Sequence, residues 1–233
     1  MNDIVRRAHD RGLTRLCHFT RAVNLPHILV TGEIRSTSQL AVGTESFRNT
    51  DDKRLDGRRH QISCSLEYPN AWYLDTARRA DHNFPNWIVM ALDLDLMTAT
   101  GVDFCPVNSA RSNGNRIADG SLESFEAMFA PSVIGNGTRT RQPGHPDWWP
   151  TDDQAEVMLA DAVPVAKIQR IIVEDDDQAA LLLFQLSRQG LETLIPPLFT
   201  APDLFDKRRL SKSLRAGIRP EERGYTSSPH LAE

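Results

Sequence analysis

A glutamate on a predicted strand, Glu156, has the surroundings best suited to chemistry. In residues 153–159, period-two alternation puts the small and branched apolar side chains on one face, and Gln154 with Glu156 on the other. A carboxylate next to Ala155 and Val157 is partly removed from water, so it must be paired, protonated or active. The alternative is an ordinary half-exposed strand, on which Glu156 points into water.

A second group of polar side chains lies near the N-terminus. His18 and Thr20 end the predicted strand 13–20, and Asn24 precedes a short helix that ends at Gly32. The polar ends of such strand–helix units often face ligands. The alternative is that His18 is satisfied within the core and that Thr20 and Asn24 are turn and capping residues.

The charged segment 45–60 offers cations to an anionic ligand. It contains several arginines among aspartates. A guanidinium binds phosphate through two parallel N–H groups, so one of these arginines could hold a phosphate. The alternative is a solvated connection that crosses the surface.

Residues 131–151 form a long segment rich in Gly and Pro, for which we predict an irregular loop. Long loops in compact domains are usually functional or disordered, and two adjacent tryptophans argue against disorder here. Cations beside exposed aromatic rings would suit a stacked base and its phosphates. Because the loop leads into the Glu156 strand, it would flank the group on which Glu156 acts. The side chains available for such contacts are Arg139, Arg141, Trp148 and Trp149.

The composition is that of an ordinary globular protein, with 233 residues, 40% hydrophobic and 25% charged. A net charge of −4 gives no overall attraction to nucleic acid, so phosphate binding needs a local basic patch. The three cysteines are scattered, which argues against a zinc site and favours a reducing compartment. We find no signal peptide and no apolar stretch of about 20 residues, so we expect a cytoplasmic protein without membrane contact.

Periodicity predicts a mixture of helices and strands between these segments. The clearest strand is 87–94, a continuous apolar run. Further predicted strands are 61–67, 103–106 and 169–174, and predicted helices are 2–11, 71–80, 121–130 and 175–189. From residue 201 the chain turns polar and basic. We therefore expect a single domain at 1–200 and a flexible basic tail at 201–233.

Two motifs, in order along the chain, carry a family resemblance. The first is Cys17-His18-Phe19-Thr20 followed by Asn24-Leu25-Pro26, and the second is Gln154-Ala155-Glu156-Val157 followed by Val163-Pro164. They resemble the start and the catalytic strand of the DarT family of DNA ADP-ribosyltransferases, and the resemblance covers residues 13–173. It implies an α+β protein with the ADP-ribosyltransferase (PARP-like) fold, a central split mixed β-sheet flanked by helices.

The resemblance also implies residue roles. Glu156 would be the catalytic glutamate, and the important arginine falls on Arg54, with Arg48 as the second choice. NAD+ would be a substrate, held in the split of the sheet, and no metal would be needed. The cofactor-binding residues implied in this way are His18, Thr20, Asn24, Arg48 and Arg54.

The implied reaction is mono-ADP-ribosylation of a base in single-stranded DNA. Residues 62–70 depart from the aromatic-rich form of thymine-modifying members, so guanine is favoured over thymine. Gln154 would orient the base, and the loop 131–151 would hold the strand. Such an enzyme would be the toxin of a toxin–antitoxin system with a macrodomain antitoxin as partner. The alternatives are an ADP-ribosyltransferase for RNA or protein, an inactive nucleic-acid-binding module, or a structural domain.

Overall fold

A computed structural model of the chain describes residues 2–42, 55–80, 82–160 and 162–226. Helices and strands are interspersed along these ranges. The strands are β1 Leu16–Arg21, β2 Glu33–Ile34, β3 Gln61–Leu66, β4 Trp87–Leu92, β5 Asp103–Cys105, β6 Ser132–Gly135, β7 Gly137–Thr140, β8 Glu156–Ala160, β9 Val163–Pro164, β10 Ile168–Val173, β11 Leu198–Thr200 and β12 Arg223–Gly224. The α-helices are α1 Asp3–Asp10, α2 Leu25–Thr31, α3 Thr37–Val42, α4 Ala71–Ala80, α5 Leu122–Ala127, α6 Asp176–Ser187 and α7 Lys207–Arg215.

Eight of these strands assemble into one mixed sheet with the order β12-β11-β10-β4-β1-β3-β8-β5. β10 and β11 run parallel, and the other neighbouring pairs in this sheet are antiparallel. Two small antiparallel pairs, β2 with β9 and β6 with β7, lie outside it. The expected α+β architecture with a central mixed sheet is confirmed.

The sheet divides between two of its inner strands, β1 and β3. In the described chain these strands pair at Leu16 with Leu66 and at Cys17 with Ser65, and nowhere else. Beyond that point β1 continues along β4 to Arg21, whereas β3 pairs with β8. The two half-sheets therefore separate into a split, as the resemblance implies.

Alternation along β4 explains its continuous apolar sequence. Ile88 and Met90 pack into a core on one side with α1, α2 and α6, whereas Trp87 and Val89 pack on the other side with α4 and α7. All six residues of β4 are buried because both faces of the sheet are covered. In the ranges described, none of the helices combines the length and hydropathy needed to span a lipid bilayer.

The segment 131–151 is more regular than the expected loop. β6 and β7 form a hairpin, and Gly137 in its turn has φ of 82°, a left-handed conformation that glycine adopts without steric cost. Every residue of β7 is exposed. The strand therefore lacks the apolar alternation by which a sequence reveals a half-buried strand.

The fold continues past the boundary expected at position 200. Leu210 and Leu214, one turn apart on α7, are buried on the side of the sheet that α4 covers. β12 then pairs with β11 at the edge of the sheet. Residues 201–226 are thus part of the fold, and their basic composition reflects the solvated face of α7. Residues 227–233 lie outside the described ranges.

Buried ion pairs connect this C-terminal region to the start of the sheet. Arg15, only 4% exposed, donates to both carboxylate oxygens of Glu222. Arg219 pairs with the buried carboxylate of Glu67. That carboxylate also accepts a hydrogen bond from the N–H of Thr14 at 2.6 Å. Each buried charge therefore depends on a partner more than 100 residues away in sequence.

Candidate active site

The first predicted site residue, His18, lies where the sheet splits. It follows the last residue of β1 that pairs with β3, and its Nδ1 donates to the backbone carbonyl of Ser63 at 2.8 Å. The imidazole thus spans the two strands where their backbone pairing ends. Because a carbonyl can only accept, this bond fixes a proton on Nδ1 and orients the ring.

Thr20 and Asn24 extend the same wall of the split. Asn24 Nδ2 donates to Thr20 Oγ1 at 2.9 Å, whereas the Asn24 side chain does not cap α2 as the sequence suggested. The amide is therefore held against the strand. His18, Thr20 and Asn24 all line a cleft of about 190 Å³.

Glu156 lines the same cleft from the other half-sheet. It is the first residue of β8 and is 6% exposed. Ser63 Oγ donates to its Oε2 at 3.0 Å, and Asn108 Nδ2 donates to its Oε1 at 3.2 Å. The structure thus brings the predicted catalytic glutamate to one cleft with three of the predicted cofactor-binding residues.

The protonation of Glu156 is shifted by its surroundings. Burial raises the pKa of this carboxyl to about 7. Hydrogen bonds from Ser109 and Ser63 favour the ionised form and limit the rise in pKa, whereas the carboxylate of Asp56 adds to it. A carboxyl close to half-ionised at neutral pH suits a group that must take up and release a proton.

Sequence reasoning misses four polar residues around this carboxyl, which are Asp56, Ser63, Asn108 and Ser109. The last two form a turn after β5, and β5 pairs with β8 so that Cys105 lies opposite Glu156. The polar turn after a short buried strand was the available signal. The pairing of β5 with β8 is a long-range contact, and local periodicity does not encode it.

β8 begins later than the alternation predicts, which changes the position of Gln154. The carboxylate of Asp152 accepts a hydrogen bond from the N–H of Gln154 at 2.8 Å, in a turn that precedes the strand. Gln154 therefore does not share a strand face with Glu156, and it is not among the residues that line the cleft. Val157 and Leu159 do share the core-facing side, as predicted.

The tryptophans expected to contact a substrate pack into the protein instead. Trp149 is 2% exposed and contacts Tyr68, with ring centroids 6.1 Å apart. Its faces are therefore closed to a base. Trp148 is partly buried, and the guanidinium of Arg219 lies 4.4 Å from its ring centroid. The expected stacking role is wrong for Trp149, because core packing uses the ring.

The two arginines of the segment differ in their surroundings. Arg141 donates to the carbonyls of Trp149 and Pro146, both at 2.8 Å, so its guanidinium holds the segment together. Arg139, on β7, has an exposed side chain 4.0 Å from the carboxylate of Asp152. Of the two, Arg139 is the one that solvent or a ligand can reach.

The predicted phosphate-binding arginines, Arg48 and Arg54, lie outside the described residues, so their role stays a prediction. Within the described part of the cleft, Arg35 contributes a guanidinium. Its Nε pairs with the carboxylate of Glu33 at 2.7 Å.

Comparison with known proteins assigns the family. A family model described as "ssDNA thymidine ADP-ribosyltransferase, DarT" matches residues 17–205. That span contains every described residue that lines the cleft and, apart from Leu16 and β12, the whole eight-stranded sheet. The chain belongs to the DarT family. The assignment from the His18 and Glu156 motifs is confirmed, and with it the class of enzyme, an ADP-ribosyltransferase.

Solved DarT structures share the fold. Thermus sp. 2.9 DarT in complex with NAD+ matches with a TM-score of 0.56 at 16% identity, covering 83% of this chain and 98% of that one. Its complex with ADP-ribosylated ssDNA gives 0.55 at 16% identity, covering 84% and 97%. Thermosipho africanus DarTG in complex with ADP-ribose gives 0.53 at 15% identity, covering 82% and 51%. No protein with a curated description matches the chain.

Proposed function

We propose that this DarT-family protein transfers ADP-ribose from NAD+ to a base of single-stranded DNA. The observation that carries the proposal is the buried carboxyl of Glu156, which lines one cleft with His18, Thr20 and Asn24 across a split sheet. The related Thermus structures, one with NAD+ and one with ADP-ribosylated ssDNA, support the choice of both substrates.

On the NAD+ side, the wall formed by β1 and α2 suits a nicotinamide riboside. An imidazole, a hydroxyl and an amide together offer donors and acceptors for ribose hydroxyls and a carboxamide. The ring of His18 is already oriented by its bond to Ser63, so it loses little conformational entropy when NAD+ binds. We assign the pyrophosphate to Arg54, with Arg48 as the alternative.

In the proposed reaction, the bond between the nicotinamide nitrogen and ribose C1′ breaks, and nicotinamide leaves with the electron pair. A base nitrogen forms the new bond to C1′ and loses a proton. The ionised carboxylate of Glu156 stabilises the positive charge that develops on the ribose and accepts that proton. One proton is released to solvent when Glu156 ionises again.

On the DNA side, the acceptor base must leave its stack to enter the cleft, which favours single strands. We assign the exposed Arg139 to a phosphate of the strand, and we assign no contact with the acceptor to Gln154, because it does not line the cleft. We assign Arg141 and Trp149 instead to positioning the turn that leads into Glu156. Arg141 donates to the backbone of this segment, and the ring of Trp149 is buried.

Two bases, guanine and thymine, are candidates for the acceptor. The form of residues 62–70 favours guanine, whereas the description of the matching family model names thymidine. Both bases carry an N–H group that could lose a proton to Glu156. We keep guanine as the preferred acceptor and thymine as the one to test against it.

Mass spectrometry of short oligonucleotides tests the proposal directly. Each single strand carries one guanine, thymine, adenine or cytosine in an otherwise constant context and is incubated with NAD+. We expect one ADP-ribose on the guanine strand, none on the matched duplex, and none with Glu156→Gln. Modification of the thymine strand alone would overturn the base preference. Label only on added RNA or protein would overturn DNA as the substrate.

We further propose that the activity makes the protein a toxin with a macrodomain antitoxin as partner. Damage to the bases of the host's own DNA would halt replication, so a partner must remove the modification or block the cleft. Induced expression should arrest growth, and Glu156→Gln should abolish the arrest. Co-expression of a macrodomain that hydrolyses ADP-ribosylated DNA should restore growth. Arrest by Glu156→Gln at equal protein level would contradict the proposal.

A further inference from the structure

The carboxylate of Asp153, three residues before Glu156, accepts hydrogen bonds from several side chains. Its Oδ2 accepts from Ser211 Oγ at 2.9 Å and from Arg215 Nη2 at 3.2 Å, both on α7. Its Oδ1 accepts from Trp149 Nε1 at 3.3 Å. The Asp153 side chain is only 12% exposed. A carboxylate so far removed from water must find its hydrogen bonds within the protein.

Helix α4 joins the same cluster of side chains. Trp72 Nε1 donates to Ser211 Oγ at 3.1 Å and to Asp153 Oδ2 at 3.4 Å. The hydroxyl of Ser211 therefore accepts from the indole and donates to the carboxylate, which links α4 and α7 to the turn before β8. The two donors on α7 lie beyond residue 205, outside the span on which the family assignment rests.

Glu156 lies where the backbone pairing of its strand begins. It is the first residue of β8 and lies opposite Cys105 of β5, whereas the pairing of β8 with β3 starts at Val157. The turn before β8 therefore holds the backbone of Glu156 on its other side. Because an extended chain covers at most about 3.6 Å per residue, the Cα atoms of Asp153 and Glu156 are within about 11 Å of each other.

We propose that Asp153 is a positioning residue, which attaches the turn before β8 to α7 and thereby fixes the backbone from which Glu156 reaches the cleft. The inference rests on the proposed function, in which Glu156 is the catalytic carboxylate. Helix α7 is a suitable support because Leu210 and Leu214 are buried in the core. Catalytic groups need such support, since a displacement of about 1 Å can lower the rate about 100-fold.

A second bond between α4 and α7 provides a matched control. Lys207 Nζ donates to Asp75 Oδ2 at 2.6 Å, and both side chains are 22% exposed. This ion pair joins the same two helices, and neither residue belongs to the turn before β8. Substitution of Asp75 therefore shows how a weaker attachment of α7 affects catalysis when the contacts of Asp153 remain.

Steady-state kinetics of DNA modification test the proposal. In Asp153→Ala the turn loses its attachment to α7, so kcat should fall about 10- to 100-fold. KM for NAD+ should stay within about twofold of wild type, because the residues assigned to NAD+ on β1 are unchanged. Asp75→Ala should keep the wild-type kcat. Equal losses of kcat in the two variants, or wild-type kcat in folded Asp153→Ala, would overturn the proposal.

Substitution of Ser211 gives a milder form of the same test. Ser211→Ala removes one donor to Asp153 and should lower kcat by about three- to tenfold, the range expected for one hydrogen bond. Ser211→Thr keeps the hydroxyl and should restore kcat. If Asp153→Ala does not fold, equal kcat for Ser211→Ala and Ser211→Thr would overturn the proposal.

Hydrogen-exchange mass spectrometry reports on the turn independently of activity. Peptides covering residues 150–157 should exchange faster in Asp153→Ala than in wild type or in Asp75→Ala. Unchanged exchange in Asp153→Ala, or an equal increase in both variants, would overturn the proposal. Faster exchange in Asp153→Ala alone, in a protein whose wild type modifies no DNA, would contradict only the proposed function.

Discussion

At the scale of single residues, Glu156 combines two properties that usually conflict. It has the position of a catalytic carboxylate, yet burial makes its charged form costly. The folded protein therefore holds this proton up to about pH 7, whereas the unfolded chain releases it near the ordinary value for glutamate, about 4.5. Stability that the protonated group provides is present below the lower value and is lost as the pH rises towards the upper one.

Glu156→Gln should separate activity from stability. The amide cannot accept a proton or balance positive charge, so kcat for DNA modification should fall at least about 100-fold. Relative to wild type, the free energy of unfolding of the variant should increase by about 2–3 kcal/mol between pH 4.5 and pH 8. Urea unfolding at the two pH values measures this change. Substitution of an exposed glutamate, Glu123→Gln, is the control. If the free energy of unfolding of Glu156→Gln differed from wild type by the same amount at both pH values, the raised pKa of Glu156 would be contradicted.

His18 should act on NAD+ binding more than on the fold. His18→Ala removes the ring that spans the split, and we expect at least about a tenfold weaker affinity for NAD+, equivalent to about 1.4 kcal/mol. Isothermal titration calorimetry with NAD+ in the absence of DNA measures it. The exposed His9→Ala on α1 is the matched control. Equal affinities for His18→Ala and wild type would remove His18 from the cofactor site.

Much of the residue-level site follows from two short motifs. His18, Thr20, Asn24 and Glu156 are polar residues at the ends of recognisable strands, so their family pattern survives in sequence. Asp56 and Ser109 could not be found this way. Their places at the cleft come from strands and turns that meet only after folding, and a lone Asp or Ser in a turn has many ordinary explanations.

At the scale of elements, the β6–β7 hairpin carries the exposed Arg139 on a strand with no buried residue. Such a strand contributes little to the core and is free to serve a ligand. Arg139→Ala should weaken binding of single-stranded DNA and reduce the slope of log K against log salt by about 0.7, the value for one phosphate on a single strand.

Fluorescence anisotropy at several salt concentrations tests the Arg139 prediction. The matched control is Arg6→Ala, since Arg6 is also an exposed arginine beside an aspartate, Asp3, at 2.7 Å. The control should keep the wild-type slope. An equal loss of DNA affinity in both variants would point to general electrostatic attraction. Unchanged affinity in Arg139→Ala would mean that the DNA binds elsewhere.

Elements with a buried face were predictable, and elements without one were not. β4 and α6 carry strong apolar patterns, which predict their bounds to within two residues. The hairpin has no such pattern. The sequence predicts the start of β8 three residues early because alternation continues through the turn at Asp152, where a side-chain hydrogen bond replaces the hydrogen bonds between strands.

At the scale of the whole molecule, an ion pair joins the C-terminal region to the start of the sheet. Glu222→Ala would leave Arg15, 4% exposed, without its carboxylate partner. Removal of one partner of a buried pair costs about 3–5 kcal/mol, so thermal and urea unfolding should show a loss of that size. The neighbouring exposed Glu221→Ala is the control and should change stability by less than about 0.5 kcal/mol.

The extent of the domain was the least predictable property of the sequence. Leu210 and Leu214 are two apolar residues in a highly basic stretch, and that composition alone resembles a solvated tail. Their burial depends on a face of the sheet that includes Cys17, Trp87 and Val89, all more than 100 positions earlier. If Glu222→Ala left the free energy of unfolding unchanged, the C-terminal region would contribute little to stability.

The narrow junction between β1 and β3 affects how the two half-sheets unfold locally. The backbones of these strands pair at only two positions in the described chain, so each half-sheet can unfold as a separate cooperative unit. A ligand that contacts both walls would couple these units. In hydrogen-exchange mass spectrometry, NAD+ should therefore slow exchange in peptides covering β1 and β3 together. Slowing in one of them alone would show that the ligand binds to a single half-sheet.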